Sequence, residues 1–183
     1  MKKSLPGLTI VNIVATSELE QRVDLDKLAC TKGFLYDYAI YPCAYLKDEN
    51  MQATVSIFAS GKMICVGSKS LDSARHDLKH AAKRLAELGL IEPTEIDAKL
   101  RNIVATGELG CTIDLGKLSR KLSHVIYEPE QFPGMIYYAN ELEGASILIF
   151  ANGRVVFAGL KSLKSLKVGK RVLASLSGLI SKA

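Results

Sequence analysis

The chain of 183 residues lacks tryptophan, has three histidines, and contains four cysteines that form no C-x-x-C pair. The cysteines are Cys30, Cys43, Cys65 and Cys111. Their scatter favours neither a zinc module nor a disulfide framework, so we expect reduced, mostly buried thiols. His76 and His80 are four residues apart on a predicted helix, but no third ligand lies nearby, which favours a solvated helix face. We expect no metal and no other cofactor.

Long apolar runs are also missing, because none reaches the roughly 18 residues of a membrane span. The first residues, MKKSLPGLTIVN, lack the apolar stretch and cleavage site of a signal peptide. We therefore expect no membrane association and a protein that stays in the cytoplasm. The carboxylates are dispersed, and neither a Ser/His/Asp pattern, a Cys/His pattern nor a glycine-rich phosphate loop is visible. The sequence does not predict an enzyme.

Positive charge is in modest excess, with a net charge of +5 at pH 7 and a pI near 9.0. The excess lies in the second half of the chain. Residues 1–92 carry 12 Lys and Arg against 11 Asp and Glu, whereas residues 93–183 carry 12 against 8. This balance suits a polyanionic partner, although many basic proteins have none.

One phrase of eight residues occurs twice, as NIVATSEL from Asn12 and as NIVATGEL from Asn102. Over the longer stretches Ile10–Leu28 and Leu100–Leu118, 11 of 19 aligned residues are identical. A period this long that occurs only twice is typical of a duplicated domain and not of a solenoid.

The duplication continues to the ends of both copies. IFASGKMICVGSKSL, from Ile57, aligns with IFANGRVVFAGLKSL, from Ile149, with 8 identities in 15 residues. We therefore predict two repeats, residues 1–92 and residues 93–183, which we call copy one and copy two.

Hydrophobic periodicity predicts the same order of elements in each copy, a series of strands closed by a long helix. In copy one the predicted strands are Leu8–Thr16, Tyr41–Lys47, Ala53–Ala59 and Lys62–Gly67. A short helix is predicted to open at Asp24, and the long helices cover Asp72–Leu88 and about Ser165–Ser181. The apolar stripe of the first long helix predicts that it packs on a sheet.

Both faces of the predicted sheet are apolar. In TVSIFAS, Val55 and Ile57 point one way while Ser56 and Phe58 point the other, and the helices of a copy can cover only one face. A large exposed apolar surface usually binds a partner. The alternative is that this second face is buried between the copies or in a dimer, and the pattern alone leaves both open.

Four stretches, NIVAT, IFASGKM, GSKS and YEPEQFPG, resemble in order and spacing the TATA-box-binding protein family. The resemblance covers roughly residues 8–181. It implies an α+β fold, a duplicated pseudo-twofold saddle with a ten-stranded curved antiparallel sheet and four helices on the convex face. The lack of a long N-terminal extension resembles the archaeal members more than the eukaryotic ones.

The resemblance also implies a function. Such a protein is a general transcription initiation factor that binds the minor groove of A·T-rich promoter DNA, kinks it, and recruits transcription factor B and, indirectly, RNA polymerase. It would then be found with chromosomal DNA. One alternative is a diverged paralogue with an altered DNA preference that acts mainly through protein partners. Another is an accessory domain of a DNA-processing enzyme, which no catalytic pattern supports.

By the family's pattern, the uncovered sheet face binds DNA. Asn12 and Asn102 would offer amide donors to the acceptors of central A·T pairs, with Val14 and Val104 packed beside them. The implied wedges that open base steps are Phe58 with Tyr41, and Phe150 with Phe132. Other implied contacts to the groove are Ile64, Val66, Pro133, Leu148, Val156 and Ala158. The implied phosphate contacts are Lys47, Lys62, Lys69, Arg154 and Lys161.

A second implied site is a loop of copy two, the stirrup, whose Glu128, Glu130 and Gln131 would receive transcription factor B. Copy one lacks this acidity, so the resemblance predicts that the partner chooses one end.

The sequence also departs from the family's pattern on the DNA face. Val66 and Ala158 stand where a Thr is common, Tyr138 where an Arg is common, Tyr41 where a Phe is common and Ser56 where a Leu is common. These changes bear on affinity and on preference for a standard TATA box.

Overall fold

The computed structural model describes residues 7–180, and every element below lies within that range. Copy one contains the strands β1 (Thr9–Glu18), β2 (Phe34–Leu35), β3 (Ala44–Leu46), β4 (Thr54–Ile57) and β5 (Lys62–Ser68), and the helix α1 (Leu71–Glu87). Copy two contains β6 (Lys99–Glu108), α2 (Leu115–Ser119), β7 (Val125–Ile126), β8 (Gly134–Tyr137), β9 (Ser146–Phe150), β10 (Arg154–Leu160) and α3 (Leu163–Ile180). The last residue of the predicted second long helix, Ser181, lies outside the described residues.

The strands form a ten-stranded antiparallel sheet, as predicted. Its order is β2-β3-β4-β5-β1 in copy one and β6-β10-β9-β8-β7 in copy two. The two halves therefore repeat one topology. In both, the last strand, β5 or β10, pairs with the first strand of its copy and with the strand that precedes it in the chain.

By its contacts the chain divides into two compact units. One unit is residues 12–101, and the other joins the described residues before Asn12 to those from Asn102 onward. This division lies within β1 and β6. The repeat boundary between residues 92 and 93 concerns the sequence and stays a prediction.

The described residues contain three α-helices instead of the four helices expected. The fourth element is a single 3-10 turn, Asp26–Leu28. In copy two the carboxylate of Asp114 caps α2 by accepting the backbone N–H of Lys117 at 2.9 Å. The turn of copy one has no side-chain cap hydrogen bond, although Asp24 lies 3.3 Å from the ammonium of Lys27 much as Asp114 lies 3.7 Å from that of Lys117. The lost cap is one difference that disfavours a full helical turn in copy one.

In each unit the long helix covers one face of the sheet. In copy one Val55, Ile57, Met63 and Cys65 are fully buried on the α1 side, together with Leu78 and Leu85 of α1 itself. In copy two the α3 side is formed by Ile147, Ile149, Val155 and Phe157. The neighbouring residues of opposite parity are mostly half-buried. In each unit the sheet therefore has one face buried under its helix and a second, less buried face that carries apolar residues such as Ile64, Leu148 and Phe150.

Two glycines lie at β-bulges, one in the strand pair β1–β5 and one in the pair β6–β10. The β1–β5 register shifts between Ile13 and Val14, opposite Gly67, and the β10–β6 register shifts opposite Gly159. Both glycines have positive φ, +111° and +87°, which a side chain would disfavour. Each copy therefore carries a β-bulge at the same point, and bulges re-aim the side chains beside them.

The cysteines differ from the expectation of mostly buried thiols. Cys43 and Cys65 are buried, but Cys30 and Cys111 are exposed, and all four are free. The two exposed thiols lie in connecting segments after a short helix and after β6, where apolar neighbours in sequence do not become neighbours in space.

Candidate nucleic-acid interface

We call the sheet face of each unit that its long helix leaves uncovered the open face. Strand register places matched residues in one row across it. The row in copy one is Tyr45, Ser56, Ile64 and Thr16, and the row in copy two is Ile136, Leu148, Val156 and Thr106. Most of the implied groove contacts have the same strand parity as the residues of these rows. They are Asn12, Val14, Phe58, Ile64, Val66, Asn102, Val104, Leu148, Phe150, Val156 and Ala158.

Asn12 has its side-chain amide fixed by the bulge in copy one. Its Oδ1 accepts the backbone N–H of Gly67 at 2.9 Å. Because a backbone N–H can only donate, the atom facing Gly67 must be the oxygen, and the Nδ2 group keeps both of its hydrogens for another partner. Asn102 is half-buried on the matching strand, and no hydrogen bond to its amide occurs within residues 7–180.

Phe132 and Phe150 form an aromatic pair at the end of copy two. Their ring centroids are 5.8 Å apart with an interplanar angle of 65°. Gly134 lies opposite Phe150 in the register, and a Cβ there would be 2.8 Å from Phe132 Cε1 and 3.1 Å from Phe150 Cε1. The rings therefore occupy space that only a glycine leaves free. Sequence reasoning missed Gly134, although its place beside Pro133 in YEPEQFPG marked the position.

The corresponding end of copy one is arranged differently. Tyr41 packs edge-on against Tyr45, with ring centroids 5.4 Å apart, whereas the resemblance pairs it with Phe58. The residue equivalent to Gly134 is Cys43, which is buried and has the Cβ that copy two lacks. The wedge role of Tyr41 stays a prediction, but its ring is held by a different neighbour.

Two of the implied phosphate contacts lie opposite carboxylates. Lys62 pairs in register with Glu18, and Arg154 with Glu108, so both copies repeat the same cross-strand pair. All four residues are exposed. The glutamates, which sequence reasoning did not single out, reduce the positive potential beside each cation.

The other implied phosphate contacts are less uniform. The ammonium of Lys47 donates to the carbonyl of Met51 at 2.8 Å, so it is partly committed to its own loop. Lys69 is exposed between β5 and α1. The Lys161 Nζ lies 3.4 Å from the point where a Cβ on Gly144 would be, above a neighbouring turn.

The stirrup of copy two presents its polar residues to solvent. Glu128, Glu130 and Gln131 are exposed, and the carbonyl of Glu128 accepts the backbone N–H groups of Gln131 at 3.0 Å and Phe132 at 2.9 Å. This turn joins the acidic loop directly to Phe132, which the resemblance implies is a wedge. Pro133 follows and is exposed.

The equivalent loop of copy one has the same turn but a different surface. The carbonyl of Asp37 accepts the N–H groups of Ile40 and Tyr41, while Tyr38 is 83% exposed and Ile40 66% exposed. Burial raises the pKa of Tyr36, and the nearby carboxylates of Asp26, Asp24 and Asp37 add to this shift. The loop of copy one is therefore mainly apolar and aromatic at its tip.

No group of three or more His, Cys, Asp or Glu side chains that could hold a metal occurs within residues 7–180. His80 Nε2 lies 2.7 Å from an Asp48 oxygen, and His76 Nδ1 lies 3.2 Å from an Asp77 oxygen. Nor is any helix of the described part long and apolar enough to cross a membrane.

Comparison with known proteins identifies relatives over nearly the whole chain. Residues 7–88 and 97–177 match the family model described as transcription factor TFIID, or TATA-binding protein (TBP). The TATA-box-binding protein of Cenarchaeum symbiosum is 39% identical over 160 residues, covering 86% of this chain and 87% of the relative. That of Archaeoglobus fulgidus is 35% identical over 158 residues, covering 85% and 86%. The solved structure of Methanococcus jannaschii TBP is similar with a TM-score of 0.82 and 30% identity, covering 97% of this chain and 99% of the other.

Proposed function

The chain belongs to the TATA-binding protein family of DNA-binding general transcription factors, and we propose that it binds the minor groove of A·T-rich promoter DNA and kinks it. Members of this family are not enzymes. The proposal includes recruitment of transcription factor B by the stirrup of copy two and, through that factor, of RNA polymerase. It places the protein on chromosomal DNA.

The observation that carries the proposal is the amide of Asn12 on an otherwise apolar face. An A·T pair offers only acceptors in the minor groove, adenine N3 and thymine O2. The bond from Gly67 turns the Nδ2 donors of Asn12 away from the bulge, where such acceptors could be met. Apolar neighbours such as Val14 and Val66 tolerate A·T pairs because these lack the guanine amino group.

The aromatic pair of copy two supports the proposed kink. Unstacking one base step costs about a few kcal/mol in minor-groove bending proteins, of which this family is a standard example, and the wrapped protein surface offsets that cost. Phe132 and Phe150 pack as one unit over Gly134, so two rings would enter together. The rings would therefore act as a stiff wedge.

The exposed carboxylates of the copy-two stirrup support the proposed recruitment. Glu128 and Glu130 lie beside the wedge, where negative charge does not favour binding to a polyanion. A basic protein surface is the partner that such a loop suits. The apolar loop of copy one would not bind it, so the partner would choose one end.

The experiment that tests minor-groove reading compares A·T, G·C and inosine·cytosine pairs at the central steps of a bound duplex. Inosine·cytosine lacks the guanine amino group but keeps the minor-groove acceptors, while its major groove resembles that of G·C. We expect G·C to weaken binding and inosine·cytosine largely to restore it. Equal binding losses for the two pairs would overturn the proposal.

A second candidate, a paralogue with altered DNA preference, is favoured by the changed open face of copy one. Val66, at a position where Thr is common in the family, is 43% exposed there, and Ser56 stands in the row occupied by Leu148 in copy two. A selection from random DNA would separate the two, because this candidate requires an enriched sequence other than a standard TATA box.

A further inference from the structure

One matched row of the open face differs in chemistry between the copies. In copy two Ile136 and Leu148 lie opposite each other across β8 and β9. In copy one the same two positions hold Tyr45 and Ser56, which lie opposite each other across β3 and β4. Two branched alkyl side chains are thus replaced by one large and one small side chain, both with hydroxyl groups.

Both hydroxyl groups are available to a ligand. Ser56 is half-buried, and no hydrogen bond within residues 7–180 occupies its Oγ. The ring of Tyr45 is oriented by its edge-on contact with Tyr41. A hydrogen bond with the Cys43 thiol raises the pKa of the Tyr45 phenol. A thiol is a weak partner, which leaves the phenol free to accept a stronger donor.

These hydroxyls change what the face can do with a G·C pair. In the minor groove a G·C pair adds one donor, the guanine N2 amino group, to the acceptors that every pair presents. Ile136 and Leu148 cannot accept from that amino group, so contact with them would strip its water without replacement. A hydroxyl can accept from the amino group of G·C and can also donate to the acceptors of A·T.

We infer that Tyr45 and Ser56 allow copy one to accept a G·C pair in its half of the DNA site, whereas copy two excludes one. The inference rests on the proposed minor-groove function and adds a specificity that differs between the two halves. One consequence concerns polarity. A single G·C pair in an otherwise A·T site would orient the protein, because only copy one can bind over it.

Palindromic duplexes test the inferred difference in G·C tolerance, because an A·T-only palindrome presents the same site to the protein in both orientations. The set contains an A·T-only palindrome, the same site with one G·C pair in one half, and the site with G·C pairs at the symmetric positions of both halves. The G·C position is moved stepwise along the half-site. At the steps facing the hydroxyls, we expect the single pair to cost less than about threefold in affinity and the double to cost roughly ten- to hundredfold, the usual range for one wrong base pair.

Two other patterns would overturn the inference. If both copies exclude G·C, the single pair already costs ten- to hundredfold at every step. If both accept it, the double substitution costs little. Inosine·cytosine duplexes separate this failure from failure of the proposed function. If the protein does not read the minor groove, inosine·cytosine pairs will not restore affinity. If they do restore affinity but each added G·C pair lowers it by the same factor, only the inference is rejected.

Variants assign the effect to the two hydroxyls. The double substitution Tyr45→Phe with Ser56→Ala keeps the aromatic contact. Measured against the A·T site with the same variant, it should raise the cost of a single G·C pair to that of the symmetric double. Tyr38→Phe is the matched control, since it removes an exposed tyrosine hydroxyl of the same copy that lies outside the row, and it should leave the tolerance unchanged. Persistence of the tolerance in the folded double variant would contradict the assignment.

The reciprocal exchange supplies an independent measurement. Ile136→Tyr with Leu148→Ser gives copy two the row of copy one and should reduce the cost of the symmetric double G·C site to less than about threefold. If this variant binds A·T DNA normally but still rejects the double site, the row does not determine the tolerance. Should it fail to fold, the hydroxyl deletions in copy one decide the question.

Discussion

Substituting Gly134 by alanine tests the proposed wedge of copy two, Phe132 with Phe150, without removing either ring. The added Cβ would lie 2.8 Å from Phe132 Cε1, 3.1 Å from Phe150 Cε1 and 3.2 Å from the carbonyl oxygen of Ile149. Carbon atoms in contact are normally about 3.6 Å apart. At least one ring must therefore move by about 0.8 Å, away from the position in which the pair packs.

The size of the effect follows from that displacement. An aromatic pair contributes about 0.5–1.5 kcal/mol beyond its buried area, and a gap of about 0.5–1 Å forfeits a quarter to a half of a contact's attraction. These two ranges multiply to a loss of about 0.1–0.8 kcal/mol, so we expect DNA affinity to fall by up to about fourfold, with a smaller bend. Gly134 has no positive φ, so alanine adds no backbone strain, and folding stability should change by less than about 1.5 kcal/mol.

The assay measures affinity by fluorescence anisotropy and bending by circular-permutation mobility. Gly107→Ala is a matched control, because its Cβ would crowd Leu173 Cδ2 at 2.8 Å and Leu8 Cδ2 at 2.9 Å, neither of which belongs to the aromatic pair. The control should lower the melting temperature and leave the bend unchanged. An unchanged bend and affinity for Gly134→Ala, or an equal loss of bend in the control, would refute the reasoning.

Two further predictions concern charge. Glu18→Gln and Glu108→Gln each remove a carboxylate opposite a proposed phosphate contact. DNA affinity should therefore rise by about two- to fivefold at low salt and by less at high salt. A salt titration that shows no gain in affinity would contradict this. Glu128→Arg with Glu130→Arg should keep DNA binding and abolish recruitment of transcription factor B, since charge reversal against a basic surface costs several kcal/mol. The equivalent pair Asp37→Arg with Ala39→Arg serves as control in the ternary-complex assay, and wild-type recruitment by the first double variant would reject the proposed asymmetry.

The sequence was sufficient for the features that repeat along the chain. Alternation in TVSIFAS predicted one sheet face under the helix and a second that the helix leaves uncovered, and the structure agrees, with Val55 and Ile57 buried under α1 while Ser56 stays half-buried. The long helices were predicted to within a few residues. Period-two and helical patterns succeed here because burial on one side of a strand or helix is a local property of the sequence.

Features that depend on partners distant in the chain were not visible. The strands β2 and β7 have two residues each and are too short to show any period. The edge-on contact of Tyr41 with Tyr45 was not predicted, and the fixed amide of Asn12 depends on a bulge at Gly67. Sequence periodicity depends on residues that are close along the chain, so it cannot predict a hydrogen bond or a ring contact between side chains and residues of distant strands.

Asp77 is the clearest example of a residue whose role depends on a partner distant in the chain. Its carboxylate is fully buried under copy one, where it accepts the backbone N–H of Ala53 at 2.7 Å, just before β4. In copy two the equivalent residue is Gly169, and the N–H of Ala145, which matches Ala53, is instead satisfied by the carbonyl of Leu142 at 3.0 Å. Copy one therefore needs the carboxylate because its own loop supplies no acceptor.

Asp77→Ala should lower the free energy of unfolding by about 2–4 kcal/mol, because it leaves a buried donor without a partner and removes a charge-assisted hydrogen bond. Asp77→Asn keeps one acceptor and should cost less than the alanine variant. Chemical denaturation measures both, and DNA affinity of the folded protein should change little because Asp77 lies on the side of the sheet opposite the open face. A loss below about 0.5 kcal/mol for Asp77→Ala would show that water or a relaxed loop satisfies the N–H of Ala53, and that the two copies do not differ in this requirement.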